Sequence, residues 1–250
     1  MTFSFEDKVV LVTGAAAGLG RGTAQAFAAR GAKVVIADIN EAAGRETAKG
    51  LGDNALFVHA DVADPQAMQQ VVDTAVEHFG RLDIAYNNAG VELTPNPLAE
   101  QSLEEFDRVI AVNVLGVFNS MHAEIPAMLA SGGGVIVNAS SGLGLRGIPM
   151  QSPYVASKHA VQGLTKAAAL EYAARGVRIN AVAIGVIDSP LYETAVATTP
   201  GYKERIWSRQ PNGRIGTIDE VADTVMWLAS DASSYVVGTS ITLDGGQGMT

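Results

Sequence analysis

The stretch Lys8-Val9-Val10-Leu11-Val12-Thr13-Gly14-Ala15-Ala16-Ala17-Gly18-Leu19-Gly20 decides the fold. Its apolar, β-branched first half predicts a strand over Lys8–Thr13, and a helix is predicted over Gly20–Arg30. The glycines between them permit a tight turn that brings backbone N–H groups close to a pyrophosphate, and the helix N-terminus adds a favourable dipole. A glycine-rich turn alone is a weak indication, since glycines also serve ordinary turns.

Strand and helix patterns alternate along the rest of the chain. Further strands are predicted over Lys33–Asp38, Leu56–His59, Leu82–Asn87, Val135–Ala139, Arg178–Ile184 and Ser240–Leu243. Further helices are predicted over Glu41–Leu51, Pro65–Phe79, Leu103–Leu129, Pro153–Arg175 and Ile218–Ala229. Pro126 should kink or end the long helix after Asn113. This alternation predicts an α/β fold of the Rossmann type, with a doubly wound, seven-stranded, mainly parallel sheet and helices on both faces.

No break in composition, linker or repeat divides the chain, so one domain over residues 1–250 is expected. The least regular stretch is the segment 189–216, which contains Pro190, Pro200 and Pro211. Ligands bind beyond the carboxyl ends of the strands in such sheets. The segment is therefore predicted to form a substrate lid, the alternative being an ordinary surface loop.

The composition excludes several classes of function. A net charge of −9 argues against nucleic acid and against an anionic membrane surface as partners. The absence of cysteine excludes disulfides, cysteine nucleophiles and thiolate zinc sites. The N-terminal residues lack the features of a signal peptide, and no apolar run reaches membrane-spanning length. A cytoplasmic enzyme is therefore expected.

Asp38, at the end of the second predicted strand, predicts a preference for NAD(H) over NADP(H). Its carboxylate can accept hydrogen bonds from both hydroxyls of an adenosine ribose, but it would repel a 2′-phosphate. No lysine or arginine occurs in Ala15–Ala17 or in Ile39-Asn40 to bind that phosphate. The alternative is that Asp38 only caps the next helix.

Tyr154 and Lys158 lie four positions apart, one helical turn, so their side chains share a face. A free phenol has a pKa of about 10, and an ammonium near 4 Å would supply about the 4 kcal/mol that lowers it to about 7. The pair thus predicts a proton-transfer centre. The four histidines, by contrast, form no pair with metal-binding spacing on a helix, so no catalytic metal is expected.

Taken in order, the motifs resemble those of the short-chain dehydrogenase/reductase family over nearly the whole chain. Thr13–Gly20 resembles the cofactor turn, and Asp61-Val62 resembles the adenine contact. Asn87–Gly90 is similar to the segment that stabilises the central sheet and lines the cofactor. Asn113 matches the asparagine of the proton relay, and Asn138–Ser141 matches the strand end that carries the catalytic serine.

The resemblance implies reversible hydride transfer between NAD(H) and a secondary alcohol or ketone. It implies a catalytic set of Asn113, Ser141, Tyr154 and Lys158; the spacing favours Ser141, with Ser140 as the competing neighbour. The implied cofactor contacts are Gly14, Ala17, Gly18, Leu19, Gly20, Asp38, Ile39, Asp61, Val62, Asn88, Ala89, Gly90, Tyr154, Lys158, Gly185, Ile187 and Ser189.

One departure from the family pattern affects the predicted pocket. The family usually has Pro-Gly after the sixth strand, whereas this chain has Ile184-Gly185, which leaves open a different loop path. The residues predicted to contact substrate are Leu143, Gln151, Val186, Leu191 and Tyr192. The predicted walls are mainly apolar, with Glu92 and Arg146 as charged exceptions, which suits a neutral, hydrophobic alcohol or ketone. Arg146 could instead bind a carboxylate.

Two other functions stay open at this point: an NADPH-dependent 3-oxoacyl-thioester reductase and a non-catalytic dinucleotide-sensing protein. Asp38 disfavours the first, and the second would not need the catalytic set. The predicted helices around Phe118 and Leu164 are apolar on more than one face. Because family members usually assemble through these two helices, a homotetramer is expected.

Overall fold

A parallel sheet of seven strands forms the centre of the part of the chain that the computed structural model describes, residues 3–249. The strands are β1 (Val9–Thr13), β2 (Lys33–Asp38), β3 (Ala55–His59), β4 (Ile84–Asn87), β5 (Gly134–Ser141), β6 (Val177–Ile184) and β7 (Ser240–Leu243). Their order is β3-β2-β1-β4-β5-β6-β7, and every neighbouring pair is parallel. The predicted fold class is confirmed. The direction of winding reverses between β1 and β4, where such sheets bind ligands.

The helices are α1 (Gly18–Ala28), α2 (Glu41–Leu51), α3 (Pro65–Phe79), α4 (Leu103–Ile110), α5 (Gly116–Ala130), α6 (Ser152–Tyr172), α7 (Pro190–Thr198), α8 (Tyr202–Trp207) and α9 (Ile218–Ala229). They cover both faces of the sheet. Val10 and Val12 of β1 share one core cluster with residues of α1 and α9. Val9 and Leu11 share the other cluster with residues of α3, α5 and α6. Alternate residues of one strand therefore build opposite layers.

The helix predicted over Leu103–Leu129 is interrupted. A π-helical turn, Ala111–Leu115, separates α4 from α5 and contains Asn113. The expectation that Pro126 could end the helix is wrong, since α5 continues to Ala130. A proline removes one helical N–H donor. The turn beyond it nevertheless buries Met128 completely in the core, and this packing stabilises the end of the helix.

The segment 189–216 is more regular than expected, because it contains the helices α7 and α8. Ser189 caps α7 by accepting a hydrogen bond from the N–H of Tyr192, and Pro190 occupies the first turn. Proline is common in loops, but it also suits the first turn of a helix, where Pro190 lies. The indole N–H of Trp207 donates to the hydroxyl of Tyr192 at 3.0 Å, which links the two helices.

Candidate active site

The turn after β1 is closely packed and leaves backbone donors free. A Cβ at Gly14 would lie 2.8 Å from the Cα of Ala89, and one at Gly20 would collide with the Gly14 carbonyl oxygen. Helix α1 begins at Gly18, and its N-terminus has no side-chain cap. The first N–H groups of a helix lack partners within it, so this end can bind an anion. The sequence-predicted Ala17, Gly18 and Leu19 lie at this end.

Asn88 and Ala89 lie behind the turn and support it. The Asn88 amide donates to the carbonyl oxygens of Thr13 and Gly14 at 3.0 and 3.2 Å. The Thr13 hydroxyl oxygen accepts from the N–H groups of Asn88 and Ala89 at 3.0 and 3.1 Å. The ends of β1 and β4 are thereby joined at the point where the winding reverses. The role of Thr13 in joining these two strand ends was not predicted, although a polar residue at the end of an apolar strand is a signal visible in the sequence.

Asp38 lies at the carboxyl end of β2. One carboxylate oxygen accepts the N–H of Ala16 at 2.9 Å, and the other accepts the N–H of Asn40 at 2.8 Å. The cap of α2 is Asn40, whose side chain accepts from the N–H of Ala43. Asp38 is therefore not the helix cap that the alternative required. Each of its oxygens retains capacity for a further donor. Next to it, Ile39 is 63% exposed.

The segment after β3 carries the predicted adenine contacts. Asp61 accepts from the N–H of Ala63 at 2.9 Å, and Val62 is buried. The amide of Asn119 donates to the carbonyl oxygens of Val62 and Ala63 at 3.0 and 3.2 Å. Asn119 therefore positions this segment from α5. This role of Asn119 was not predicted, although an asparagine within an otherwise apolar helix is a signal visible in the sequence.

Ser140 and Ser141, at the end of β5, have different surroundings. The hydroxyl of Ser140 donates to the Lys158 carbonyl oxygen at 3.2 Å and accepts from the Gln162 amide at 2.8 Å. Ser140 is therefore engaged with α6. The hydroxyl of Ser141 accepts from the N–H of Leu143 at 3.1 Å and hydrogen-bonds the side chain of Tyr154. The structure thus brings Ser141, and not Ser140, to the phenol.

Tyr154 and Lys158 lie close together, as the helical spacing predicts. The buried Lys158 ammonium donates to the Ala139 carbonyl oxygen at 3.0 Å and lies 5.6 Å from the centroid of the Tyr154 ring. Burial lowers the pKa of Lys158 to about 8, and the charge of Glu92 opposes this shift. Burial also raises the pKa of Tyr154; Glu92 adds to this effect, and the bond to Ser141 opposes it.

The expectation that Lys158 lowers the tyrosine pKa to about 7 is therefore wrong for this structure. The ammonium is hydrogen-bonded to a carbonyl oxygen, and the loss of hydration disfavours the phenolate more strongly than its neighbours favour it. The spacing of two residues in a sequence gives their proximity, but it does not give their degree of burial.

Asn113 is fully buried in the π-helical turn. Its side-chain oxygen accepts the N–H of Val91 at 2.8 Å. Its amide donates to the Val91 carbonyl oxygen at 3.0 Å and to the Ser157 hydroxyl at 3.1 Å. Nearby, a Cβ at Gly90 would lie 3.5 Å from the Lys158 ammonium nitrogen. Asn113 therefore fixes the segment after β4, and Gly90 leaves space beside the ammonium.

The proton-transfer pair faces a cleft of about 1210 Å³. Of the predicted substrate contacts, Leu143, Gln151, Val186 and Tyr192 line it. The side chain of Leu191 lies outside the part of the chain that the structure describes. The cofactor candidates that line the same cleft are Leu19, Asn88, Gly90, Tyr154, Lys158, Gly185, Ile187 and Ser189. Tyr202 and Ile206 of α8 also line it. Both lie in the segment predicted as a substrate lid, but no local motif marks these two residues in the sequence.

The loop after β6 follows a defined path without the family's proline. Ile184 pairs with Leu243 of β7, and the N–H of Gly185 donates to the Leu243 carbonyl oxygen at 2.8 Å. A Cβ at Gly185 would lie 2.7 Å from the Cα of Asp244. Further on, Ile187 bridges to Gly216 as a short parallel pair. Strand pairing and close packing therefore hold the backbone that brings Ile187 and Ser189 to the cleft.

A family model described as enoyl-(acyl carrier protein) reductase matches residues 14–248. The chain belongs to the short-chain dehydrogenase/reductase family. Cyclohexanol dehydrogenase of Acinetobacter sp. (strain SE19) is 45% identical to it over 251 residues, which cover 98% of this chain and 96% of the relative. The predicted family is thus confirmed.

Two solved structures share the fold over nearly the whole chain. Levodione reductase has a TM-score of 0.93 and 37% identity, covering 98% of this chain and 99% of that one. The 3-ketoacyl-(acyl-carrier-protein) reductase from Brucella melitensis, complexed with NADH, has a TM-score of 0.92 and 35% identity, covering 98% and 100%. The chain is therefore an oxidoreductase that transfers hydride with a nicotinamide dinucleotide, as the sequence predicts.

Two further features concern metals and membranes. Within residues 3–249, no group of three or more histidine, aspartate or glutamate side chains is arranged to hold a metal ion. Over the same residues, no helix combines the length and the apolar character that crossing a membrane requires.

Proposed function

We propose that the protein interconverts a neutral secondary alcohol of a six-membered carbocycle and the corresponding ketone, with NAD(H) as cofactor. The observation that carries the proposal is the convergence of Ser141, Tyr154 and Lys158 on one wall of a cleft that also reaches the dinucleotide turn at Leu19. The similarity to a cyclohexanol dehydrogenase supports the ring-shaped alcohol.

The residues after β1 and β2 fit a dinucleotide. Gly14 and Gly20 keep the turn free of side chains, and the uncapped N-terminus of α1 would hold the pyrophosphate. Asp38 would accept hydrogen bonds from both hydroxyls of the adenosine ribose, which supports NAD over NADP. When bound, the nicotinamide ring supplies or accepts the hydride.

The proton passes through Tyr154. In reduction, the phenol donates a proton to the carbonyl oxygen of the ketone; in oxidation, the phenolate accepts the alcohol proton. Burial raises the pKa of Tyr154, so the phenol, the form that donates the proton in reduction, is the resting form of this side chain. Ser141 would hydrogen-bond the same substrate oxygen and fix its position beside the phenol.

Lys158 and Asn113 would support this step. Lys158 places a positive charge beside the phenol and, by family resemblance, holds the nicotinamide ribose. All the side-chain contacts of Asn113 are to protein groups, so a proton relay through it would use a backbone group of the π-helical turn.

The main competing function is reduction of 3-oxoacyl thioesters. The solved structure of a 3-ketoacyl-(acyl-carrier-protein) reductase is complexed with NADH, so a preference for NADH would not distinguish the two functions. Activity towards the two classes of substrate distinguishes them. A non-catalytic dinucleotide-sensing protein is the third possibility. It predicts binding of NADH without turnover of any carbonyl compound.

The experiment is an NADH-linked assay with cyclohexanone, cyclohexanol, acyclic ketones and 3-oxoacyl thioesters. We expect cyclohexanone and cyclohexanol to give the highest kcat/KM. Tyr154→Phe should lower kcat by at least about 100-fold, the lower range of general acid–base catalysis, while NADH still binds with similar affinity. Tyr235→Phe, at a fully exposed tyrosine, is the matched control. Thioester preference, or high kcat in Tyr154→Phe, would contradict the proposal.

The assembly and the compartment stay predictions. The exposed apolar side chains of α4, α5 and α6 support the homotetramer expected from the sequence, and Leu103 and Leu170 are 80% and 84% exposed. The cytoplasmic location rests on the sequence expectation alone.

A further inference from the structure

The segment after Gly90 is held in place by three side chains of the helical region that follows it. Asn113 pairs with both backbone groups of Val91. The Arg108 guanidinium donates to the Glu92 carbonyl oxygen at 2.7 Å. Glu105 accepts the N–H of Thr94 at 3.1 Å. The backbone that carries Glu92 is therefore fixed on both sides of this residue.

The Glu92 side chain lines the active-site cleft. Among residues 3–249, its carboxylate accepts no hydrogen bond and forms no ion pair, since Arg108 contacts its backbone carbonyl instead. Glu92 is exposed to the solvent of the cleft. Because its carboxylate is not engaged with the protein and its backbone is fixed, the carboxylate is available to contact a substrate bound in the cleft.

Glu92 lines the same cleft as Tyr154 and Lys158 of α6 and Tyr202 of α8. In keeping with this arrangement, its charge raises the pKa values of these three groups. A substrate whose carbinol group meets Tyr154 extends into the space between these elements.

We propose that Glu92 determines substrate specificity by acting on the part of the ring that is remote from the reacting carbon. Its charge disfavours substrates with an anionic substituent there and favours substituents that donate a hydrogen bond or carry positive charge. The inference rests on the proposed function as an alcohol dehydrogenase, and it adds the charge class of the substrate.

Three arginines line the same cleft and could oppose this effect. Arg108 is engaged with the Glu92 carbonyl oxygen and lies 3.8 Å from the Glu105 carboxylate. Arg146 donates through one terminal nitrogen to the Gln247 carbonyl oxygen at 3.1 Å, but its buried Nε–H has no hydrogen-bond partner among the described residues. Arg209, which follows α8, makes no side-chain hydrogen bond or ion pair within these residues. Arg146 and Arg209 are therefore the two candidates for binding an anion, and the test includes both.

The experiment compares three trans-4-substituted cyclohexanols that carry a methyl, a carboxylate or an ammonium group. For each, kcat/KM for oxidation with NAD is measured at one pH and salt concentration, in the wild type and in Glu92→Gln. Glu193→Gln, an exposed glutamate of α7, is the control for loss of one negative charge. Expressing each value relative to the methyl compound cancels any general effect of the substitution on proton transfer.

We expect the wild type to prefer the ammonium compound to the carboxylate. Glu92→Gln should raise the relative kcat/KM of the carboxylate about tenfold, which corresponds to removal of about 1.4 kcal/mol of repulsion. The relative value of the ammonium compound should fall, and Glu193→Gln should change neither value. NADH affinity should be unchanged in all variants.

Other results separate the two proposals. If the wild type oxidises none of the three alcohols, the proposed function itself is contradicted. If it oxidises them but Glu92→Gln leaves the ratios unchanged, only the inference about Glu92 is overturned. A wild-type preference for the carboxylate would also overturn it, and loss of that preference in Arg209→Gln or in Arg146→Gln would assign anion binding to the substituted arginine.

Discussion

At the scale of single residues, Asp38 gives a direct test of cofactor preference. Replacing Asp38 with alanine and Ile39 with arginine removes the carboxylate that would repel a 2′-phosphate and adds a cation beside it. Because Ile39 is exposed, the new side chain can be accommodated without repacking the core. We expect kcat/KM for NADPH relative to NADH to rise at least about tenfold, the factor that 1.4 kcal/mol produces.

The measurement is the ratio of initial rates with the two cofactors at limiting concentrations. Ile39→Arg alone is the control, since it adds the cation and keeps Asp38. An unchanged ratio in the double variant would show that the ribose pocket lies elsewhere.

Lys158 predicts a pH dependence of ketone reduction. Burial lowers its pKa to about 8, so the folded protein loses the ammonium as the pH rises through this value. We therefore expect kcat for reduction to fall above pH about 8. Glu92 holds the pKa of Lys158 up, so the alkaline limb should move to lower pH in Glu92→Gln.

The measurement is kcat from pH 6 to 10 with saturating ketone and NADH. Glu193→Gln should retain the wild-type profile, since Glu193 is not among the groups that shift the pKa of Lys158. An alkaline limb that stays in place in Glu92→Gln would contradict the assigned coupling.

Spacing and order in the sequence were sufficient to predict the proximity of Tyr154 and Lys158 and of the strand-end serines. The protonation of these groups could not be predicted, because it depends on burial and on Glu92, which is distant in sequence. The distinction between Ser140 and Ser141 likewise required their partners on α6. The identity of the site residues could be predicted from the sequence, whereas the electrostatic environment that sets their pKa values could not.

At the scale of elements, a buried polar network joins α5 to the strands. Asn87 of β4 donates to the Glu124 carboxylate at 3.1 Å and to the Asn138 side-chain oxygen at 3.0 Å. The amide of Asn138 in turn donates to the Thr165 hydroxyl of α6 at 2.9 Å. Glu124 is fully buried without a basic partner among the described residues, and burial raises its pKa from 4.5 to about 8.

Glu124 therefore predicts a loss of stability with rising pH. Between pH 4.5 and about 8 the unfolded chain releases this proton while the folded protein retains it, so the free energy of unfolding falls across this window. Glu124→Gln keeps the shape of the side chain and removes the titration. Its Tm should be similar to that of the wild type near pH 4 and higher by several degrees near pH 9.

Calorimetric Tm values over that range provide the measurement. Glu171→Gln, at an exposed position of α6, should retain the wild-type dependence on pH. Wild-type and Glu124→Gln curves that run parallel would show that Glu124 does not stay protonated in the folded state.

The two elements that differ from the sequence expectation do so for different physical reasons. The π-helical turn at Ala111–Leu115 has the same local sequence character as an α-helix, and its geometry is associated with the contacts of Asn113 to Val91 and Ser157. In the segment 189–216 the prolines lie at helix boundaries: Pro190 is in the first turn of α7, and Pro200 and Pro211 lie outside α7 and α8. The π-helical turn thus depends on tertiary contacts, whereas α7 begins with a local capping signal, Ser189-Pro190.

At the scale of the whole molecule, the alternation of patterns was enough to predict the sheet and its winding. Helices α5 and α6 lie on the same face of this sheet, so their outer sides share one surface. Phe118 of α5 is 49% exposed and Leu170 of α6 is 84% exposed. Leu103, Phe106 and Leu115 are also exposed apolar residues. Exposed apolar side chains of this size on helices of one face are typical of an interface between protein chains.

The predicted homotetramer can be tested on this surface. Light scattering after size exclusion should give about four times the chain mass of 25.9 kDa for the wild type. Phe118→Glu combined with Leu170→Glu should reduce this mass, since charges at the centre of an apolar interface are costly to bury. Ala42→Glu, on the exposed side of α2, should leave the mass unchanged. A monomeric wild type would contradict the assembly and would leave the apolar side of α5 and α6 exposed to water.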